Sequence, residues 1–420
     1  MRTPLSALAR RTPEPAISWL MQLTLDRPKL ISLAAGFTDN ESLPVAEAAE
    51  ILQDVLTPGK RAQTALQYGS TAGDPRLRER TLKRIEKLDG VSTGYSAEDL
   101  IITHGSQQLL YILTEALCDP GDIVLVEDPT YFVYLGILES HGIRARGVRL
   151  TPNGLDVEHL ERVLGELKRA GELKRVKLLY QVTYFQNPTG WTSRFEGKAA
   201  TLELLRKYER AAGHPIYLLE DAAYRELRFS GPDVPSALAV RKHCDRVLYA
   251  GTYSKPFATG ARVGFGILPE PVRTAALRIK GNHDFGTSNL LQQLLLRALE
   301  SCKYETHLVE VQRRYKRKAQ LMTTAVEAHF PSSVEWVRPN GGLYVWATAP
   351  RGTSAGVKSK LFRTALRRDV LYVPGELCYA DDPARRKPNR DMRISFGGAA
   401  DADIPVGITR LGSILRQLAG

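Results

Sequence analysis

Residues 246–268 read RVLYAGTYSKPFATGARVGFGIL. Two apolar runs, RVLYAGT and RVGFGIL, flank a loop holding Lys255, with Thr252 and Ser254 on its near side and Arg262 seven positions on. Such short, near-continuous apolar runs bounded by turn residues predict strands buried on both faces. The pattern recurs on the N-terminal side. LIITHG leads into SQQLLYILTEAL, DIVLVEDP leads into TYFVYLGILESHG, and RARGVRL, VKLLYQV and PIYLLED follow. Strands alternating with helical stretches over about 98–270 predict an α/β fold, a mostly parallel sheet with helices on both faces. Such sheets bind ligands beyond the carboxyl ends of their strands. The polar turns HGSQQ, EDPTY, QNPTG, EDAAY and GTYSK all fall there.

After about 285 the pattern changes. Residues 287–330 read as long helices, and VEWVRPNGGLYVWAT (334–348) as a hairpin turning at Asn340-Gly341-Gly342. Helix SKLFRTALRRD, strand MRISF and a last helix at 403–418 complete a smaller α+β domain. DDPARRKPNR (381–390) reads as an exposed mobile loop. The expected division is 1–57 as an N-terminal arm and part of the small domain, 58–290 as the large domain and 291–420 as the C-terminal small domain.

The chain has 420 residues, 43% hydrophobic and 25% charged, enough for two or three domains with a sizeable core. Its net charge of +12 is spread along the chain, and no nucleic-acid-binding module is recognisable. The densest basic run, RRYKRKAQ (313–320), reads as the solvated face of a helix. Small anionic partners are therefore expected, not nucleic acid. Cys118, Cys244, Cys302 and Cys378 lie far apart with no metal-ligand spacing, so free thiols and a cytoplasmic location are expected. The N-terminal segment is a poor signal peptide, and no apolar stretch is long enough to span a membrane.

Taken together, the strand-end residues describe one site. A lysine amine forms a Schiff base with an aldehyde, and pyridoxal 5'-phosphate is the commonest aldehyde cofactor. It needs an anion beside its pyridine nitrogen, donors to its phenolic oxygen, a phosphate cradle and a stacking group. Asp221 supplies the anion, Tyr224 and Asn187 the donors, and Tyr131 the stacking ring. The turn GSQQ opens a helix whose N–H groups, with Arg262, Thr252 and Ser254, suit a phosphate dianion. Each motif alone has a plainer meaning: NPTG as a turn, GSQQ as a helix start, the tyrosines as core. Their joint order makes the site.

That order resembles the class I/II aminotransferases, which are fold type I pyridoxal-phosphate enzymes, over essentially the whole chain. LQYGSTAGDPRLRE (66–79), GSQQ, EDPTY, NPTG, EDAAY, the lysine loop, NGGLYVW and MRISF follow in family order. LISLAAG, ALQY, GSQQ and MRISF are most similar to the α-aminoadipate/kynurenine branch. The resemblance implies a seven-stranded, mostly parallel sheet and transfer of an amino group from an L-amino acid to a 2-oxo acid such as 2-oxoglutarate. It implies Lys255 as the Schiff-base lysine and Asp221 on the pyridinium. Asn187 and Tyr224 would bind the phenolic oxygen and Tyr131 would stack. Ser106, Gln107, Thr252, Ser254 and Arg262 would hold the phosphate. It further implies that Arg393 grips the substrate carboxylate and that Gly36 approaches the substrate. Tyr68 would reach the phosphate of a second copy, in a homodimer with shared sites.

Three departures stand out. Thr259 and Ala261 occupy positions where Pro and Leu are common, GFTDNESLP (36–44) is more polar than usual, and Tyr344 stands where Phe is frequent. The same residues serve β-elimination or decarboxylation equally well. A PLP-binding regulatory module is the remaining alternative, although only about 30 residues precede LISLAAG.

Overall fold

The computed structural model describes residues 4–419. Its main sheet runs in the order Leu100–Thr103, Gly264–Ile267, Val247–Thr252, Tyr217–Asp221, Val176–Val182, Ile123–Asp128 and Arg144–Thr151. An eighth strand of two residues, Gly154–Leu155, folds back antiparallel on the last. Gly264–Ile267 is antiparallel to both neighbours, and the six strands from Leu100, Ile123, Arg144, Val176, Tyr217 and Val247 point one way. Leu100–Thr103, Tyr217–Asp221 and Val247–Thr252 are buried along their whole length, which is why they read as unbroken apolar runs.

The second sheet has four strands, all antiparallel: Glu335–Trp336, Tyr344–Thr348, Asp391–Ser395 and Val373–Pro374. The long helix Lys303–His329 packs along the C-terminal helix Asp403–Ala419 beside it. Ile31–Ser32 pairs in parallel with Val370–Leu371, and Ser395 N–H donates to Leu33 O at 2.7 Å. The N-terminal segment is thereby woven onto the small sheet, which carries Ala34 and Gly36 toward Lys255 and Arg393.

Three sequence expectations are corrected. Asn340-Gly341-Gly342 is not a tight hairpin turn: only Glu335 and Trp336 pair with Tyr344–Thr348, and the connection spans 337–343. That connection docks on the segment 227–230, with Asn340 O accepting from Phe229 and Ser230 N–H and Gly342 N–H donating to Leu227 O. The stretch 381–390 is tied down, since Asp382 accepts from Arg146 Nη1 at 2.6 Å and Arg385 Nε donates to Asp128 at 2.6 Å. The run 313–320 is not merely a solvated face, because Tyr315 and Lys318 are fully buried.

Candidate active site

Twelve of the thirteen residues singled out in the sequence line one cavity of about 270 Å³: Gly36, Ser106, Gln107, Tyr131, Asn187, Asp221, Tyr224, Thr252, Ser254, Lys255, Arg262 and Arg393. The sheet explains the gathering. Parallel strands end together, so the turns after Thr103, Asp128, Val182, Asp221 and Thr252 meet at one edge.

One end of the cavity is built for an anion. The helix Gly105–Leu117 opens there with no side-chain cap on its first N–H groups. Gly105 has φ +74°, and a Cβ on it would lie 2.7 Å from Arg262 Nη2, so the guanidinium rests directly on that turn. Arg262 also donates to Ser254 Oγ at 3.4 Å and Thr259 O at 3.3 Å. Thr252 Oγ1 accepts from Ser254 N–H at 3.1 Å, which shapes the loop beneath.

The other end is built for a cation. Asp221 is buried, accepts from Tyr180 Oη at 2.9 Å and Ala223 N–H at 3.0 Å, and has no cationic partner among the described residues. Burial pushes its carboxyl up to about 6, against those two hydrogen bonds. A pyridinium beside it would reverse that shift by opposite charge. Between the ends, Lys255 Nζ donates to Gly36 O at 2.8 Å. Burial, then the charges of Arg262 and Arg393, lower its ammonium to about 8. A phosphate-bearing aldehyde with a basic ring nitrogen fits this donor set.

Arg393 is 1% exposed and has no carboxylate partner among the described residues. Nη1 donates to Asn187 Oδ1 at 2.8 Å, Nη2 donates to Ala34 O at 2.7 Å, and Nε has no partner. Its guanidinium lies 4.5 Å from the Tyr344 ring centre. Such a buried, anion-free guanidinium is set to receive a carboxylate.

Tyr68 is the residue the fold does not bring in. It is 82% exposed and lies edge-on to Phe285, itself 56% exposed, outside the cavity wall. Conversely, Ile17, Phe37, Thr259 and Tyr344 also line the cavity. Two departures noted in the sequence touch: Thr38 and Thr259 hydroxyls are 3.5 Å apart. Tyr180 had no signal in its strand, and Ile17 lies in the helix Ala16–Leu25, in which the sequence singled out no site residue. Tyr344 was visible as a departure.

The family model for aminotransferases of class I and II matches residues 28–411. The chain belongs to this family. It is 33% identical to aromatic-amino-acid aminotransferase 1 of Thermococcus litoralis, over 92% of this chain and 88% of that protein. It is 32% identical to the 2-aminoadipate transaminase of Thermus thermophilus, over 98% and 96%. The kynurenine aminotransferase of Pyrococcus horikoshii, solved with PMP, kynurenine and product, superposes with a TM-score of 0.89 at 32% identity, over 99% and 97% of the two chains. This aminotransferase is therefore an α/β fold type I enzyme that uses pyridoxal phosphate. None of its described helices is long and apolar enough to cross a membrane.

Proposed function

We propose that this aminotransferase moves the amino group of an L-amino acid to a 2-oxo acid, 2-oxoglutarate among them, in a ping-pong order through Lys255. The carrying observation is the joint placement of Lys255, the cation-free carboxylate of Asp221 and the anion-free guanidinium of Arg393 in one cavity. Bound pyridoxal phosphate supplies an electron sink that makes the amino acid's Cα proton removable.

The chain's own groups do the rest. Arg262, Thr252, Ser254, Ser106 and Gln107 hold the phosphate, and Asp221 keeps the ring nitrogen protonated. Asn187 and Tyr224 donate to the phenolic oxygen, and Tyr131 stacks on the ring. Arg393 pairs with the substrate α-carboxylate while Gly36 closes over the substrate. Lys255, its ammonium destabilised by burial and by two guanidinium groups, takes the Cα proton and returns it. Arg262 and Arg393 are thus committed, and the lining left over, including Ile17, Phe37, Leu110 and Val133, is apolar apart from the hydroxyls of Thr259 and Tyr344. This favours an amino donor with a neutral, apolar or aromatic side chain.

The exposed Leu66, Tyr68 and Phe285 support a homodimer in which Tyr68 completes a second copy's site. The ordinary free cysteines accord with a cytoplasmic location. The test loads the protein with pyridoxal phosphate and adds single L-amino acids without an oxo acid. Loss of the visible band with one equivalent of 2-oxo acid, restored by 2-oxoglutarate or pyruvate, is expected. Release of ammonia or CO2 instead would replace transfer with elimination or decarboxylation.

A further inference from the structure

Four cavity side chains form one hydrogen-bonded chain, and its last member has no role in the assignments above. Arg393 Nη1 donates to Asn187 Oδ1 at 2.8 Å. Arginine only donates, so this contact orients the amide, with Oδ1 toward Arg393 and Nδ2 away from it. Nδ2 donates to Tyr224 Oη at 3.3 Å. Tyr224 Oη lies 3.1 Å from Tyr344 Oη, and either hydroxyl can be the donor.

Proton accounting chooses between them. Each hydroxyl has one proton and two acceptor positions. Tyr344 is 2% exposed, and Tyr224 Oη is the one hydrogen-bond partner of its hydroxyl among the described residues. On its other side the hydroxyl abuts the Gly36 α-carbon, where a Cβ would stand only 2.6 Å away. If Tyr224 donated to Tyr344, the buried Tyr344 proton would have no acceptor among the described residues and Tyr224 would have nothing to give a ligand. If Tyr344 donates, Tyr224 Oη accepts from Asn187 and Tyr344 and its own proton is free for the cavity. Both hydroxyl protons then have a destination, that of Tyr344 on Tyr224 and that of Tyr224 in the cavity.

We propose that Tyr344 is a positioning residue: its hydroxyl donates to Tyr224 Oη and so directs the Tyr224 proton onto the phenolic oxygen of pyridoxal phosphate. The inference rests on the placement of Tyr224 proposed above. A hydroxyl that accepts two hydrogen bonds becomes a stronger donor through mutual polarisation. The rings are held independently of this bond. Arg393 lies over the Tyr344 face at 4.5 Å, and the Tyr224 and Tyr344 rings meet edge-on with centroids 5.7 Å apart. Removing the Tyr344 oxygen therefore leaves the packing in place.

The experiment compares wild type, Tyr344→Phe, Tyr224→Phe and the double variant, each loaded with pyridoxal phosphate. The readout is the pH midpoint at which the visible absorbance band changes. A donor on the phenolic oxygen favours its negative form, which predominates once the Lys255 nitrogen has lost its proton. Losing the donor therefore raises the midpoint. Tyr224→Phe is expected to raise it by about one unit or more and Tyr344→Phe by about half a unit. The double variant should match Tyr224→Phe alone, since the Tyr344 effect passes through Tyr224. KM for the amino donor in Tyr344→Phe should stay within about twofold while kcat falls. A shift in Tyr224→Phe without one in Tyr344→Phe, or full additivity in the double variant, overturns the inference alone. No shift in Tyr224→Phe overturns the placement of Tyr224 and the inference with it. Unchanged melting of the four unloaded proteins, expected throughout, separates positioning from folding, and a Tyr344→Phe protein that melts well below wild type would make its role structural.

Discussion

Lys255 sits where burial and two guanidinium groups all act against its charge. Its ammonium titrates at about 8 instead of the usual value above 10. At pH 7 the neutral, nucleophilic fraction is therefore about one in ten, where an unshifted lysine would have about one in three thousand. The rate at which unloaded protein captures pyridoxal phosphate should climb with pH through about 8 and level off above it, as followed by growth of the visible band. A rate still climbing at pH 10 would show that the ammonium is unshifted. Lys255→Ala should form no such band. Asp221 behaves oppositely: its carboxyl is raised to about 6, so in the unloaded protein it is protonated below that pH and charged above it. Cofactor affinity measured at equilibrium should fall as pH drops through about 6, and Asp221→Asn should abolish that dependence. These residues were legible in the sequence because each is polar and sits where an apolar strand stops. Tyr180, which fixes Asp221, was not, because a tyrosine inside a strand carries the signal of core whether or not its hydroxyl is used.

The strand Gly264–Ile267 presses against the turn that opens the helix Gly105–Leu117, proposed above to face the phosphate. A Cβ on Gly264 would stand 2.4 Å from Ser106 N and 2.5 Å from Gly105 C, both backbone, with no flexible side chain to give way. Gly264→Ala should displace that turn, weaken cofactor binding about tenfold or more and cost about 1–3 kcal/mol of stability. Equilibrium titration with pyridoxal phosphate and denaturant unfolding measure the two effects. Unchanged cofactor affinity would separate this turn from the phosphate. The loop 36–44 is held from the other side: Asp39 accepts from Arg314 Nε at 2.7 Å and from the buried Lys318 Nζ at 2.8 Å. Asp39→Ala leaves Lys318 without its main counter-charge and should destabilise the fold by about 3 kcal/mol in denaturant unfolding. Strands, helices and their order were legible because period and burial agree along them. The roles of 313–320, 337–343 and 381–390 were not. Their anchors, Asp39, Leu227 and Asp128, lie far away in sequence, and local pattern cannot report a long-range partner.

At the scale of the molecule, Tyr68 stands apart from its own cavity, exposed beside Phe285 and near Leu66. Fold-level reasoning alone would dismiss it as a surface aromatic, yet exposed Leu, Tyr and Phe side chains clustered together are uncommon on a monomer. If Tyr68 completes a second copy's phosphate site, two defects on different chains should complement. A Lys255→Ala chain still offers its Tyr68 outward, and a Tyr68→Ala chain still holds its Lys255. In a mixed dimer one site joins the intact Lys255 to the intact Tyr68, while the other site has lost both. Random pairing makes half of the dimers mixed, each with one whole site, so about a quarter of wild-type activity should return on unfolding and refolding the two variants together. Each variant refolded alone sets the baseline: zero turnover for Lys255→Ala, and weakened cofactor binding with low turnover for Tyr68→Ala. Activity equal to the average of the two baselines would mean that each chain works with its own residues only, and the aromatic patch would then be explained by dimer contact without shared chemistry. A sedimentation measurement on the same samples distinguishes that outcome from a chain that does not dimerise at all.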